Sequence, residues 1–283
     1  MPQITREKIT TKPKHKGGGT AVQRIAPLTF DEEAGININA YGKSGTGKTT
    51  IACTFPKPLL IIGAEDGTKS VYNVKGVEFV RINNSSEIGE LVSHIQQTGK
   101  YKTVLMDTAS SLQDMILTEI LGLDEPPIQL SWGLASRGQW GQCVIQTKER
   151  LRSLIELPCN TFISAQERVH NSDEESTENI TLDPYISNGV TPSVNGWLTP
   201  KCDYVVQTFI RQQTKKKTIK VGGKPVTELV KTGKVEYCIR TYPDPAYTIK
   251  FRVPKGTPLP EAIVDPCYED IINLIRGKHV SSD

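Results

Sequence analysis

The stretch GKSGTGKT, Gly42 to Thr49, constrains this chain more than any other feature. It satisfies G-x-x-x-x-G-K-[ST], a pattern that a chain of this length meets by chance about once in a hundred. It follows the strand-like ININ (36–39) and leads into the helix-like TGKTTIACTF, the context that makes the pattern a phosphate loop. The glycines let successive backbone N–H groups curl around phosphate oxygens, and the amino end of the helix adds its dipole. The cradle runs through Gly42, Lys43, Ser44, Gly45, Thr46, Gly47, Lys48, Thr49 and Thr50. Lys48 is placed to reach the β- and γ-phosphates, and the Thr49 hydroxyl to ligate magnesium, so ATP and Mg2+ are the expected cofactors.

Downstream of the loop, apolar runs alternate with helix-like stretches. PLLIIGAED (58–66), VEFVRI (77–82), TVLMDT (103–108) and CNTFISAQE (159–167) read as strands. SSEIGELVSHIQQTGK (85–100), ASSLQDMILTEIL and GLASRGQWGQCVIQTKERLRSLIEL (133–157) read as helices. This alternation predicts an α/β fold, a mostly parallel sheet flanked by helices on both faces. From about 168 to 200 the pattern gives way to polar, Gly-, Pro- and Asn-rich sequence, expected to be a mobile loop. DYVVQTFIRQQ, the turn-like VGGKP and VEYCIRTYPDPAYTIKFRVP then predict antiparallel hairpins added at the carboxy-terminal end.

Charge is informative through its distribution. The net charge is +3, but residues 1–24 carry six Lys and Arg against one Glu and include Gly17-Gly18-Gly19. Residues 1–27 are therefore expected to be a flexible basic arm ahead of one domain spanning 28–283. Such an arm suits contact with DNA or a neighbouring subunit and equally a solubilising tail. Six cysteines without a CxxC pair and only four histidines point to reduced thiols in a cytosolic protein. No apolar run approaches the roughly 20 residues of a membrane span, and the amino terminus lacks the apolar centre of a secretion signal.

Asp107 ends the apolar strand TVLMD, which brings its carboxylate to the carboxyl edge of the sheet, where it can hold magnesium or cap the next helix. The following residue is Thr108 and not the glutamate that many phosphate-loop ATPases place there. Glu65, at the end of LLIIGAED, is the candidate general base, with Asp66 as runner-up. The order Glu65, Asp107, Gln166 behind a phosphate loop resembles the RecA-type recombinase ATPase core, over roughly residues 34–255. The compact phage-encoded RecA-like annealing and recombination ATPases look most similar, opening as they do with a short strand into Y-G-x-S-G-x-G-K-[ST]-T, here Tyr41 to Thr50. The resemblance implies a catalytic glutamate at Glu65 and a γ-phosphate sensor at Gln166. It also implies a first DNA-binding loop near GLASRGQWGQ, with Arg137, and a second in 168–200, with Lys201 at its far end. ATP lies between subunits in that family, and a late strand of the neighbour supplies basic side chains. Lys250 and Arg252, one residue apart in YTIKFRVP, are the corresponding pair here.

Two features depart from that family. The 168–200 segment is acidic, which is poor chemistry for gripping phosphates. Lys215, Lys216, Lys217 and Lys220 cluster around a hairpin spanning 209–240, suited to tracking a nucleic-acid backbone and equally to protecting an edge strand. The expectation is an Mg-dependent ATPase that assembles as a homo-oligomer on single-stranded DNA and promotes annealing or strand pairing. A single-strand DNA-binding protein is a natural neighbour and no membrane partner is expected; the place of action is the cytoplasm, the host's if the protein is phage-encoded. The alternatives are a RecA-type motor or loader, a small-molecule kinase, and a nucleotide-gated scaffold without turnover.

Overall fold

Each central strand is a short apolar run whose side chains alternate between two faces, and both faces are covered. The computed structural model describes residues 35–65, 71–124, 135–170, 185–221 and 224–280. The basic arm expected at 1–27 lies outside them, as does residue 66. In chain order the elements are β1 (Asn37–Tyr41), α1 (Lys48–Ala52), β2 (Leu59–Gly63), β3 (Val77–Arg81), α2 (Glu87–Thr98), β4 (Thr103–Asp107), α3 (Ala109–Leu121) and α4 (Arg137–Ile155). They continue with β5 (Asn160–Ala165), β6 (Glu167–His170), β7 (Tyr185–Asn188), α5 (Pro192–Lys201), β8 (Tyr204–Val221), β9 (Lys224–Arg240), β10 (Ala262–Val264) and α6 (Tyr268–Ile275).

The main sheet runs β10-β9-β8-β1-β5-β4-β2-β3. From β3 to β8 neighbouring strands are parallel, and β9 and β10 join by antiparallel pairing. Leu60, Ile62, Val104, Met106 and Ile163 point into a core closed by α2, α3, α4 and α5. Leu59, Ile61, Leu105 and Phe162 point the opposite way, into a core closed by α1 and α6. Burying a side chain of this size contributes about 1.5–3 kcal/mol. Helix starts are capped where the sequence provides oxygen: the Thr108 side chain accepts from the Ser111 N–H ahead of α3, and Ser136 and Gln139 form a reciprocal box ahead of α4. Helix α4 therefore begins at Arg137 and not at 133.

The segment expected to be a loop is partly regular. β6 and β7 pair as a small antiparallel hairpin, and α5 follows; residues 171–184 lie outside the described set. The strand expected in YTIKFRVP is absent, because pairing there is limited to isolated bridges, Tyr247 to Ile186 and Asp244, and Lys250 to Val205. The carboxy-terminal antiparallel part is dominated by one long hairpin. β1 pairs with β8 only through Gln207, and β10 reaches β9 only at Cys238 to Arg240. Beyond that foot, residues 211–221 and 224–236 form a two-stranded ribbon with no further strand beside it among the described residues. It projects roughly 30 Å at about 3.3 Å per residue. Among the described residues no helix is long and apolar enough to cross a membrane.

Chain entry into β1 depends on Gly35: a Cβ there would stand 2.4 Å from the Cys159 carbonyl carbon. Gly35→Ala is expected to destabilise the fold by about 1–3 kcal/mol in urea denaturation, because backbone must move to admit the methyl. An unchanged midpoint would contradict this packing.

Candidate nucleotide site

The strand order β1-β5-β4-β2 lines up four carboxyl ends along one edge of the sheet. They carry, in that order, the phosphate loop, Gln166, Asp107 and Glu65. All four contribute to one cleft of about 640 Å³, which Lys48 and Thr49 also line. Ligands of open α/β sheets settle at such an edge. The sequence-predicted residues, spread from 42 to 166, are thus brought together.

Loop shape follows from its glycines. Gly45 and Gly47 have φ of 79° and 88°, a left-handed conformation that glycine adopts without a Cβ clash. Gly42 has no room for a side chain, since a Cβ there would lie 2.3 Å from the Thr208 carbonyl oxygen. The Lys48 ammonium donates to the Gly42 and Lys43 carbonyl oxygens, each at 2.8 Å. Burial lowers the Lys48 pKa, opposed by the carboxylates of Asp107, Glu167 and Glu65.

Asp107 is buried and held from two sides: Thr49 Oγ1 donates to Oδ2 at 2.9 Å and Ser164 Oγ donates to Oδ1 at 2.6 Å. The cap of α3 is provided by Thr108, leaving the Asp107 carboxylate free of that duty. Thr49 and Asp107 together are an oxygen-only donor set, the chemistry a magnesium ion requires, beside a loop shaped for phosphate. The residues fit magnesium-bound triphosphate. Gln166 is fixed through its backbone, its N–H donating to Ser110 Oγ at 3.1 Å and its carbonyl accepting from Gly189 at 2.6 Å. It stands at the base of the β6–β7 hairpin. Glu65 is exposed at the mouth of the cleft.

Several residues of the site are not evident from sequence. Asp114 on α3 is half-buried, and burial together with the Glu65 charge pushes its carboxyl up to about 6. Tyr237, Asp265, Pro266 and Cys267 also line the cleft. They come from β9 and from the turn between β10 and α6, far from the motifs in sequence.

Lys250 and Arg252 do not lie on a regular strand. The Lys250 ammonium donates to the carbonyls of Thr199, Pro200 and Cys202 and so caps the carboxyl end of α5. Arg252 is exposed, and neither residue lines the cleft. Arg137 opens α4, Lys201 ends α5, and Lys215, Lys216 and Lys217 are exposed on the β8 half of the ribbon, with Lys220 further along that strand. None of these candidate nucleic-acid contacts enters the cleft.

A family model described as an AAA domain matches residues 34–252, which include the whole phosphate loop, Glu65, Asp107 and Gln166. The chain belongs to the AAA domain family. A comparison with curated protein sequences yields no significant match. This AAA domain is a P-loop NTPase of α/β fold, and the family match includes the long ribbon. β10 and α6, which bring Asp265, Pro266 and Cys267 to the cleft, lie beyond the matched residues.

Asp114 has a consequence for pH. Its folded pKa lies above the ordinary 3.8, so the native state holds the proton longer than the unfolded chain, and this group's contribution to stability falls as pH rises from about 4 to about 6. Asp114→Asn is therefore expected to stabilise the AAA domain at pH 7.5, on the order of 1–2 kcal/mol, with the gain shrinking towards pH 4. Thermal melts at the two pH values check this; a gain that is equal at both would remove the carboxylate from the explanation.

Proposed function

We propose that this AAA domain binds ATP with Mg2+, hydrolyses it, and uses the nucleotide state to control an assembly on single-stranded DNA. The observation that carries the nucleotide part is the meeting of Lys48, Thr49, Glu65, Asp107 and Gln166 in one cleft. In this reading the loop amides and Lys48 bind the β- and γ-phosphates, while Thr49 and Asp107 hold the metal. The bound metal neutralises charge on the phosphates. Glu65 orients water towards the γ-phosphate, and Gln166 sits where it can sense that group. The nucleoside extends towards Tyr237 and the turn at 265–267.

Two observations support the DNA and assembly parts. The ribbon exposes Lys215, Lys216, Lys217, Lys231 and Lys234 against Glu228, while Glu236 is paired with Arg211, a basic balance suited to a phosphate backbone. Lys48 is the only basic side chain lining the cleft among the described residues. A second cation for the transferring phosphoryl group would then come from a neighbouring copy, with Arg252 as the remaining candidate. Annealing or strand pairing, in the manner of compact phage RecA-like ATPases, is the activity this reading favours.

ATP turnover with and without single-stranded DNA tests it. Single strands are expected to stimulate turnover, Lys48→Ala to abolish it, and Glu65→Gln to reduce it by about 10²-fold or more. Replacing Lys215, Lys216 and Lys217 together with Gln is expected to flatten the salt dependence of single-strand binding by about 2 in log–log slope. Absence of both stimulation and single-strand binding would sink the DNA reading and leave a P-loop NTPase acting on another partner.

A further inference from the structure

The phosphate loop is backed by the foot of the ribbon. Thr208, on β8 one residue past the last pairing with β1, is fully buried against the loop. Its carbonyl and hydroxyl oxygens fill the space where a Gly42 side chain would be. Its hydroxyl lies 2.6 Å from Thr46 Oγ1, and Thr46 Oγ1 donates to the Lys43 carbonyl at 2.8 Å. That carbonyl is also where the Lys48 ammonium donates, at 2.8 Å. The Thr208 hydroxyl also stands 3.3 Å from the Tyr41 carbonyl oxygen, a second place for its one proton. The shorter contacts favour the run in which Thr208 donates to Thr46 and Thr46 to the Lys43 carbonyl. The ribbon's own strand thus reaches, through Thr46, the oxygen that also holds Lys48.

A second route between loop and ribbon is weaker. Lys43 Nζ stands 3.9 Å from Glu167, Gln207 donates to Glu167 at 3.4 Å, and Arg240 donates to Gln207 at 3.3 Å. The Lys43 side chain is 80% exposed, so its ion pair is screened and contributes little. The Thr208–Thr46 contact is buried, and the bonds that continue it to the Lys43 carbonyl are part-buried, so this route is less screened and a lost partner costs more.

We propose that Thr208 is a positioning residue that couples occupancy of the nucleotide cleft to the setting of the ribbon, and hence to its grip on single-stranded nucleic acid. The nucleic-acid half of this proposal rests on the function proposed above; the coupling itself does not. A triphosphate draws the Lys48 ammonium away from the Lys43 carbonyl. That oxygen then relies on Thr46, and Thr46 on Thr208, so the loop and β8 tighten or shift together. Because β8 continues into the ribbon, through a register shift at Gln212–Thr214, a small tilt at the foot becomes a larger displacement along the strand. By linkage, nucleic acid held on the ribbon changes nucleotide affinity by the same factor.

The experiment uses the full chain with three side chains at position 208: the native threonine, Thr208→Ser, which keeps the hydroxyl, and Thr208→Val, which keeps the shape without it. Two quantities are read with and without a non-hydrolysable ATP analogue: affinity for a labelled oligo-dT strand, and amide hydrogen exchange of residues 211–236. The native chain is expected to change oligo-dT affinity at least fivefold between nucleotide states and to change ribbon exchange alongside. Thr208→Ser should retain both effects, and Thr208→Val should compress the affinity ratio to within twofold and erase the exchange difference. Full coupling in Thr208→Val overturns the proposal, as does a native ribbon whose exchange ignores the nucleotide. If the native chain binds no oligo-dT, the DNA reading fails, and the exchange data still decide the coupling. If Thr208→Val does not fold, Thr208→Ala, which also lacks the hydroxyl, takes its place with the same two readouts and the same expected loss.

Discussion

The site is organised around one buried carboxylate. Asp107 stands at the end of β4 with a hydroxyl on each oxygen, one from Thr49 of the phosphate-loop helix and one from Ser164 of β5. A carboxylate in this position is tolerated only when its oxygens are partnered, so it fixes the relative setting of β4, β5 and the start of α1. The parallel sheet makes that arrangement possible. It brings every strand of the motif-bearing core to the same edge, and the two apolar faces, packed by different helices, hold the edge rigid.

Function is paid for in local stability at several points. Asp114 keeps a carboxyl half-buried beside Glu65, against the pull of burial towards the neutral form. The cleft also holds Lys48, whose buried ammonium is held by two loop carbonyls. The ribbon is a different liability. A lone two-stranded hairpin is marginal in water, yet this one carries exposed Ile210, Val230 and Val235 among its lysines.

Much of the site was legible because each key residue ends an apolar run. GKSGTGKT follows β1, Glu65 follows LLIIG, Asp107 closes TVLMD, and Gln166 follows NTFISA; a strand's end is a position that pattern alone can locate. Tyr237, Asp265, Pro266 and Cys267 were not legible, since only the sheet order brings β9 and β10 to the loop. Helix α5 was concealed by Pro192, Gly196 and Pro200, although Pro192 sits harmlessly in the first turn and Val194 and Leu198 bury one face. Lys250 was misleading for a related reason. Alternating charge in YTIKFRVP suggested a strand face, whereas the ammonium satisfies the carbonyls that end α5.

The most direct test concerns the Asp107 clasp: ATP affinity measured by calorimetry with and without Mg2+, for the native chain and for Asp107→Asn. If Thr49 and Asp107 hold the metal, Mg2+ strengthens ATP binding to the native chain, and Asp107→Asn removes most of that gain while still binding ATP through the loop. Equal magnesium dependence in both proteins would contradict the assignment and would mean that Asp107 serves only to tie two strands and the phosphate-loop helix together.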